Sequence, residues 1–172
     1  MKEEQINASL SYLTFKLGDE LFAAHVSKVI NILEMLRITE VPKAPAYMKG
    51  VINLRGSVLP VIDTRIKFGM SPTVYSVNTC IIVLSIEMEE DTVLAGGLVD
   101  SVQEVLEIEA ENILPSPSIG NKYKTEFITG MVKYNDQFIM ILDVDKVFSA
   151  DDITNLREAT ALNDGAIIDR KN

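Results

Sequence analysis

Apolar positions recur along the chain with a period of two, broken at short intervals by Gly, Pro, Asn or Asp. Leu13, Phe15 and Leu17 alternate with more polar neighbours, which predicts a half-buried strand over 10–17. Further short strands are predicted at 20–24, 29–35, 51–55 and 57–62, and a second set at 79–86, 92–99, 102–108, 127–134 and 137–142. Arg55-Gly56 and Asn135-Asp136 fall between apolar runs as tight hairpin turns, because Gly, Asn and Asp tolerate positive φ. Pro42 and Pro45 precede a predicted helical turn at 46–49. Pro60 lacks a backbone donor, so its strand is expected to be an edge or to bulge there. Asp63 and Asp143 each open a short segment of helical character, where a carboxylate caps first-turn amides. Beyond residue 150 the chain is polar and acidic, and a C-terminal helix over Ile153, Leu156 and Leu162 is expected before the tail ends at Asn172.

The pattern repeats. Residues 25–35 match 98–108 at an offset of 73, with Val26/Val99, Val29/Val102, Leu33/Leu106 and Glu34/Glu107 identical. Residues 50–63 match 130–143 at an offset of 80, and both copies run on to a phenylalanine, Phe68 or Phe148. Two matches in the same order indicate a duplicated unit of about 75 residues. The change of offset implies seven extra residues in the second copy, placed most simply around 116–124. About five short strands per unit cannot build a broad sandwich. Two small five-stranded barrels hide their edges instead.

Composition narrows the function. Among 172 residues, 25 are acidic and 16 basic, giving a net charge of −9. Such a field repels phosphate backbones and anionic membranes, so nucleic acid is not an expected partner. A single cysteine, Cys80, leaves no disulfide framework, and a single histidine, His25, leaves little for metal binding or general-base chemistry. The start lacks the features of a signal peptide, and the apolar run 80–84 is too short to span a bilayer, so a cytoplasmic protein without direct membrane insertion is expected.

Candidate reactive groups resolve into structural ones. Asp63 and Asp143 are expected to cap rather than catalyse, and Gly96-Gly97 to allow close backbone approach rather than phosphate binding. Cys80 reads as a small hydrophobe without a neighbouring base. No enzyme and no cofactor is expected. What remains is surface. Val26, Val29, Ile30 and Ile32, followed by Leu33, Met35 and Leu36, form either a strand buried on both faces or an exposed strip for docking. Arg55, at a hairpin tip, is either a solvated turn residue or a fork that fixes a partner.

The stretch 38–63 carries Val41-Pro42-x-x-Pro45, then Gly50-Val51-Ile52-Asn53-Leu54-Arg55-Gly56, then Pro60-Val61-Ile62-Asp63. It closely resembles the chemotaxis coupling protein CheW family. The resemblance runs from about Leu10 to Phe148 and includes Gly97-Leu98-Val99-Asp100-Ser101-Val102 and Thr129-Gly130. It implies a single mostly-β domain over 1–172 of two intertwined SH3-like five-stranded β-barrels with short helices: a first barrel at about 10–70 with strand exchange, a second at about 79–149, and a C-terminal helix and tail at 150–172. It also implies a non-enzymatic adaptor that joins the cytoplasmic tips of methyl-accepting chemoreceptors to the regulatory domain of the histidine kinase CheA, recruited to membrane-associated receptor arrays. By positional match, Val29, Asn31, Ile32, Arg55 and Cys80 would face the receptor in a groove between barrels, and Leu13, Val26 and Val29 the kinase. Some family members carry a glutamate where this chain has Asn31, able to pair with the arginine matched by Arg55. The alternatives are a tandem-barrel module for another protein, or a paralogue serving a different receptor–kinase pathway.

Overall fold

A computed structural model describes residues 10–87, 91–115, 125–149 and 151–158. Ten strands follow in order: β1 (Ser11–Leu17), β2 (Glu20–His25), β3 (Val29–Glu34), β4 (Met48–Leu54), β5 (Ser57–Asp63), β6 (Cys80–Glu87), β7 (Thr92–Val99), β8 (Ser101–Glu107), β9 (Ile128–Tyr134) and β10 (Gln137–Leu142). Two single-turn helices, α1 (Thr64–Lys67) and α2 (Val144–Val147), follow β5 and β10. Residues 151–158 form a third helix, α3. Leu162 of the expected C-terminal helix, and the 116–124 segment, lie outside the described residues.

The strands form two five-stranded sheets, β8-β1-β2-β10-β9 and β3-β6-β7-β5-β4. Each sheet combines the first hairpin of one repeat with the last three strands of the other, so the exchange of strands is reciprocal and the sheets run out of phase with the repeats. The registers reproduce both sequence offsets. Val61 lies beside Gly96 in one parallel ladder, and Ile141 beside Ala23 in the other. The antiparallel ladders β3–β6 and β1–β8 carry equivalent bulges, between Val29 and Asn31 and between Leu13 and Phe15. Isolated bridges Thr39–Val51 and Leu114–Met131 bring the chain leaving each edge strand back onto the opposite edge, bending both sheets toward closure. Leu114 follows Thr39 by 75 residues and Met131 follows Val51 by 80. Two of the seven extra residues therefore enter before Leu114 and the other five after it.

The exchange has a geometric cause. β2 and β3 are joined only by the 3-10 turn Val26–Lys28, and β7 and β8 only by Asp100. If β2 took the place of β7 in the β3 sheet, His25 would stand where Leu98 stands, beside Ile81, while Val29 pairs with Leu84. Two inter-strand spacings and three residues along the sheet separate those points by about 14 Å. That is the full reach of the four residues available, about 13–14 Å, with a strand in the way. The short links send each hairpin to the other sheet.

Alternation then sorts side chains into three cores. Ile52, Leu59, Val61, Ile81, Val83 and Leu98 fill the inside of the β3 sheet. Leu21, Ala23, Ile108, Ile139 and Ile141 fill the inside of the β8 sheet. Between the sheets lies a larger shared core that includes Leu13, Phe15, Leu17, Phe22, Ile62, Phe68, Ile82, Phe127, Phe148 and, from α3, Ile153 and Leu156.

Local chemistry agrees with most sequence expectations. Arg55 and Gly56 have φ of 52° and 85°, and Asn135 and Asp136 have 46° and 64°, as two-residue hairpin turns require. Asp63 accepts a hydrogen bond from the Arg65 amide, and Asp143 from the amides of Asp145 and Lys146. The helical turn expected at 46–49 is instead a turn at 46–47 running into β4. The Thr39 and Val51 amides and carbonyls bond reciprocally, both at 2.8 Å, and this extends the strand upstream. Pro60 sits neither on an edge nor at a bulge, since β5 lies between β7 and β4. Its partner Val51 directs its own amide and carbonyl to Thr39, so the missing Pro60 donor points toward β7, where the ladder begins only at Val61.

Candidate docking surface

β3 is an edge strand, and its alternation turns successive residues to opposite sides. Ile32 pairs with Ile82, and Glu34 with Cys80, on the side facing the shared core. Asn31 pairs with Val83, and Leu33 with Ile81, on the side facing the inner core. Of the two readings of this segment, the exposed strip is the one adopted: Ile30 is 56% exposed, Ile32 44% and Leu36 42%, while Leu33 and Met35 pack on the inner cluster.

Val29 opens β3 half-buried against the shared core, and Val26 stands half-buried in the preceding 3-10 turn. His25 caps that turn, its Nδ1 accepting from the Ser27 amide at 3.1 Å. Cys80 opens β6 and lies against the shared core beside the backbone of Val102. Burial pushes its thiol above the ordinary value, opposite to what a nucleophile needs. A groove of about 530 Å³ runs between the sheets here, lined by Glu34, Met35, Cys80, Ser101, Val102 and the segment 76–79. Cys80 lines this groove together with Glu34 at the end of β3, while Ile32 and Val29 lie farther back along the same strand.

The remaining expected residues are placed differently. Arg55 is exposed at the β4–β5 tip and makes no ion pair among the described residues. The repeat equates Asn31 with Glu104 and Leu54 with Tyr134, and the Tyr134 hydroxyl donates to Glu104 at 2.6 Å. Asn31 itself sits mid-strand, paired with Val83 on the inner side of β3. The Asn31 Oδ1 accepts from the Ile32 amide at 2.9 Å, so its side chain is turned to its own backbone. Leu13, expected at a kinase-facing surface, is only 4% exposed and belongs to the shared core. Its alternation with Phe15 and Leu17, all three facing inward, is the reason.

Exposed apolar residues that escaped the sequence reading include Val105 and a segment at Val74, Tyr75 and Val77. Val105, 56% exposed on edge strand β8, is the repeat equivalent of Ile32, so the offset of 73 pointed to it. Val74, Tyr75 and Val77 are exposed in a segment with no strand periodicity, and no sequence signal marked them. Among the described residues, no three His, Cys, Asp or Glu side chains are grouped to hold a metal ion, and no helix is long and apolar enough to cross a membrane.

Residues 11–152 match the family described as CheW-like domain. A chemotaxis protein CheW of Klebsiella aerogenes is 33% identical over 142 residues, covering 83% of this chain and 83% of its own length. A CheW of Rhizobium meliloti is 32% identical over 146 residues, covering 85% and 92%. Among solved structures, the scaffolding protein TtCheW of Thermoanaerobacter tengcongensis superposes with a TM-score of 0.73 at 31% identity, covering 83% of this chain and 94% of that one.

Proposed function

The chain belongs to the CheW-like family of chemotaxis scaffold proteins, and on that premise we propose that it is a non-enzymatic adaptor coupling the cytoplasmic tips of chemoreceptors to the regulatory domain of the histidine kinase CheA. The observation that carries this reading is the edge strand β3, which holds Ile30 and Ile32 out to solvent and whose last residue, Glu34, lines the inter-sheet groove. An exposed apolar strip next to a groove suits the apolar face of a receptor helix. Val26, in the turn before this strand, and Val29, at its start, offer the kinase a separate contact. Two contacts on one rigid body hold receptor and kinase at fixed spacing, so a small receptor movement reaches the kinase. The adaptor then resides at membrane-associated receptor arrays without inserting into the bilayer.

The test mixes the purified chain with receptor tips and a kinase regulatory domain, and follows co-sedimentation and kinase stimulation. Both partners should co-sediment with the chain. Ile32→Asp should abolish receptor association and leave the kinase domain bound, because a charge on a half-exposed docking position is costly only when desolvated. Association with neither partner sinks the proposal.

A further inference from the structure

Each short link between hairpin and sheet is fastened by an ion pair, and the two pairs occupy corresponding places in the repeat, equivalent on the helix side and one residue apart in the link. In the first, Arg65 of α1 meets Asp100 in the β7–β8 link through two contacts, one from Nε to Oδ1 at 3.1 Å, and Asp100 also accepts from the Gly18 amide. In the second, Asp145 of α2 meets Lys28 in the β2–β3 link at 2.8 Å and accepts from the Glu87 amide, with the Glu87 carboxylate 3.9 Å from Lys28. Arg65 and Asp145 are related by the offset of 80. The links are related by the offset of 73, which sets Ser27-Lys28 against Asp100-Ser101. The signs are inverted between the two clamps. All four side chains are less than one-third exposed, so their charges are incompletely screened.

We propose that this inversion selects between partners for the exchanged hairpins, favouring the two different units of one chain over like units of two copies. The short links bar each unit from closing on itself, but they do not bar the first unit of one copy from exchanging hairpins with the first unit of another. In that body, Arg65 would face the Ser27-Lys28 link of the second copy, with Lys28 one residue from the place of Asp100. In the corresponding body of second units, Asp145 would face the Asp100-Ser101 link of the second copy, with Asp100 one residue from the place of Lys28. Both juxtapositions are like-charged. Within one chain both are opposite. Exchange of identical elements is otherwise a low-cost route to dimers, and like-charge contacts are an effective way to exclude a wrong partner.

The test separates charge from sign pattern by refolding the full chain from urea at a series of concentrations and measuring mass by light scattering after size exclusion. The unaltered chain should return as monomer. The double variant R65D/D100R keeps an attractive pair in both clamps within one chain, and makes both like-unit contacts attractive as well. It should populate an exchanged dimer that grows with concentration, with the equilibrium moved by roughly two- to five-fold for each clamp. K28D/D145K makes the same change through the other clamp and avoids the Asp100–Gly18 bond. Combining all four substitutions restores opposite signs within the chain and like signs between copies, and the monomer should return. The proposal is overturned if both doubles stay monomeric at every concentration, or if the fourfold variant dimerises as readily as they do. It is equally overturned if both doubles fail to refold, because every clamp within one chain retains its attraction.

Discussion

At the scale of single residues, glycines mark where backbones touch. Gly50 has φ of 150°, and a Cβ there would stand 2.2 Å from the Thr39 carbonyl oxygen, inside the bridge that bends the β3 sheet toward closure. Gly130 repeats the arrangement against Leu114. Gly56 also has positive φ, at 85°, but a Cβ there would meet open space. Gly50→Ala should therefore cost on the order of 2–4 kcal/mol by urea unfolding, and Gly56→Ala about 1 kcal/mol. Equal losses at the two positions would contradict the close approach at Thr39. Arg55 offers the opposite case. It is exposed and makes no ion pair among the described residues, so Arg55→Ala should leave the thermal midpoint nearly unchanged while weakening receptor association in the sedimentation assay. A large drop in the midpoint would make Arg55 structural. The Arg55-Gly56 turn and the Asp63 and Asp143 caps were legible in the sequence, since turns and caps are local chemistry, whereas the approach of Gly50 to Thr39 depends on a bridge between distant segments and was not. Leu13 shows where that legibility stops: period two says that alternate residues share a face, not whether that face meets solvent or a second sheet.

At the scale of elements, α3 is fastened to the body by a buried cluster at its start and by an exposed Arg157–Asp91 ion pair at 3.0 Å near its end. Its Asp152 pairs with Lys67, whose ammonium sits 4.6 Å over the Tyr47 ring, while Asp152 also accepts from the Ser149 amide at 2.8 Å. The Asn155 amide reaches the Tyr47 hydroxyl at 3.4 Å, and Ile153 and Leu156 enter the shared core. Burial pushes Tyr47 up to about 12, with nearby Asp152 acting in the same direction. A tyrosine raised in the folded state binds its proton more tightly there than in the unfolded chain. Its contribution is complete below about pH 10 and is lost as pH rises toward the folded-state value. For Asp152, burial raises the carboxyl, but Lys67, the Ser149 amide and the Tyr47 hydroxyl outweigh it and hold it below its ordinary value. That contribution is present above about pH 4 and is lost as pH falls through the depressed value. Thermal midpoints should fall at both extremes. Tyr47→Phe should flatten the alkaline limb and Asp152→Asn the acid one, and curves parallel to the unaltered chain would refute the assignment. The sequence announced an apolar spacing at Ile153 and Leu156, but not that residues lying so near the end of the family match, at 152, complete the central core.

At the scale of the whole molecule, the duplication and its offsets were readable, because repeated units keep repeated side-chain patterns. The division into sheets was not, because register within a hairpin says nothing about which sheet receives it. The links decide that: the 3-10 turn Val26–Lys28 and the single Asp100 are too short to return a hairpin to its own unit. It follows that neither half of the chain contains a complete sheet. A fragment ending at Val74 holds β1 and β2 without β8, β9 and β10, and holds β3, β4 and β5 without β6 and β7. It should show no cooperative unfolding by itself, and the remaining fragment from Tyr75 onward should show none either. Mixed or co-expressed, the two should reassemble through the opposite-charge clamps Arg65–Asp100 and Lys28–Asp145, and unfold in one transition reported equally by far-UV and near-UV signals, because the shared core spans both sheets. A half that melts cooperatively alone as a monomer would mean that a hairpin can close on its own unit, and would remove both the link-length argument and the rigid-body spacing on which the adaptor mechanism rests.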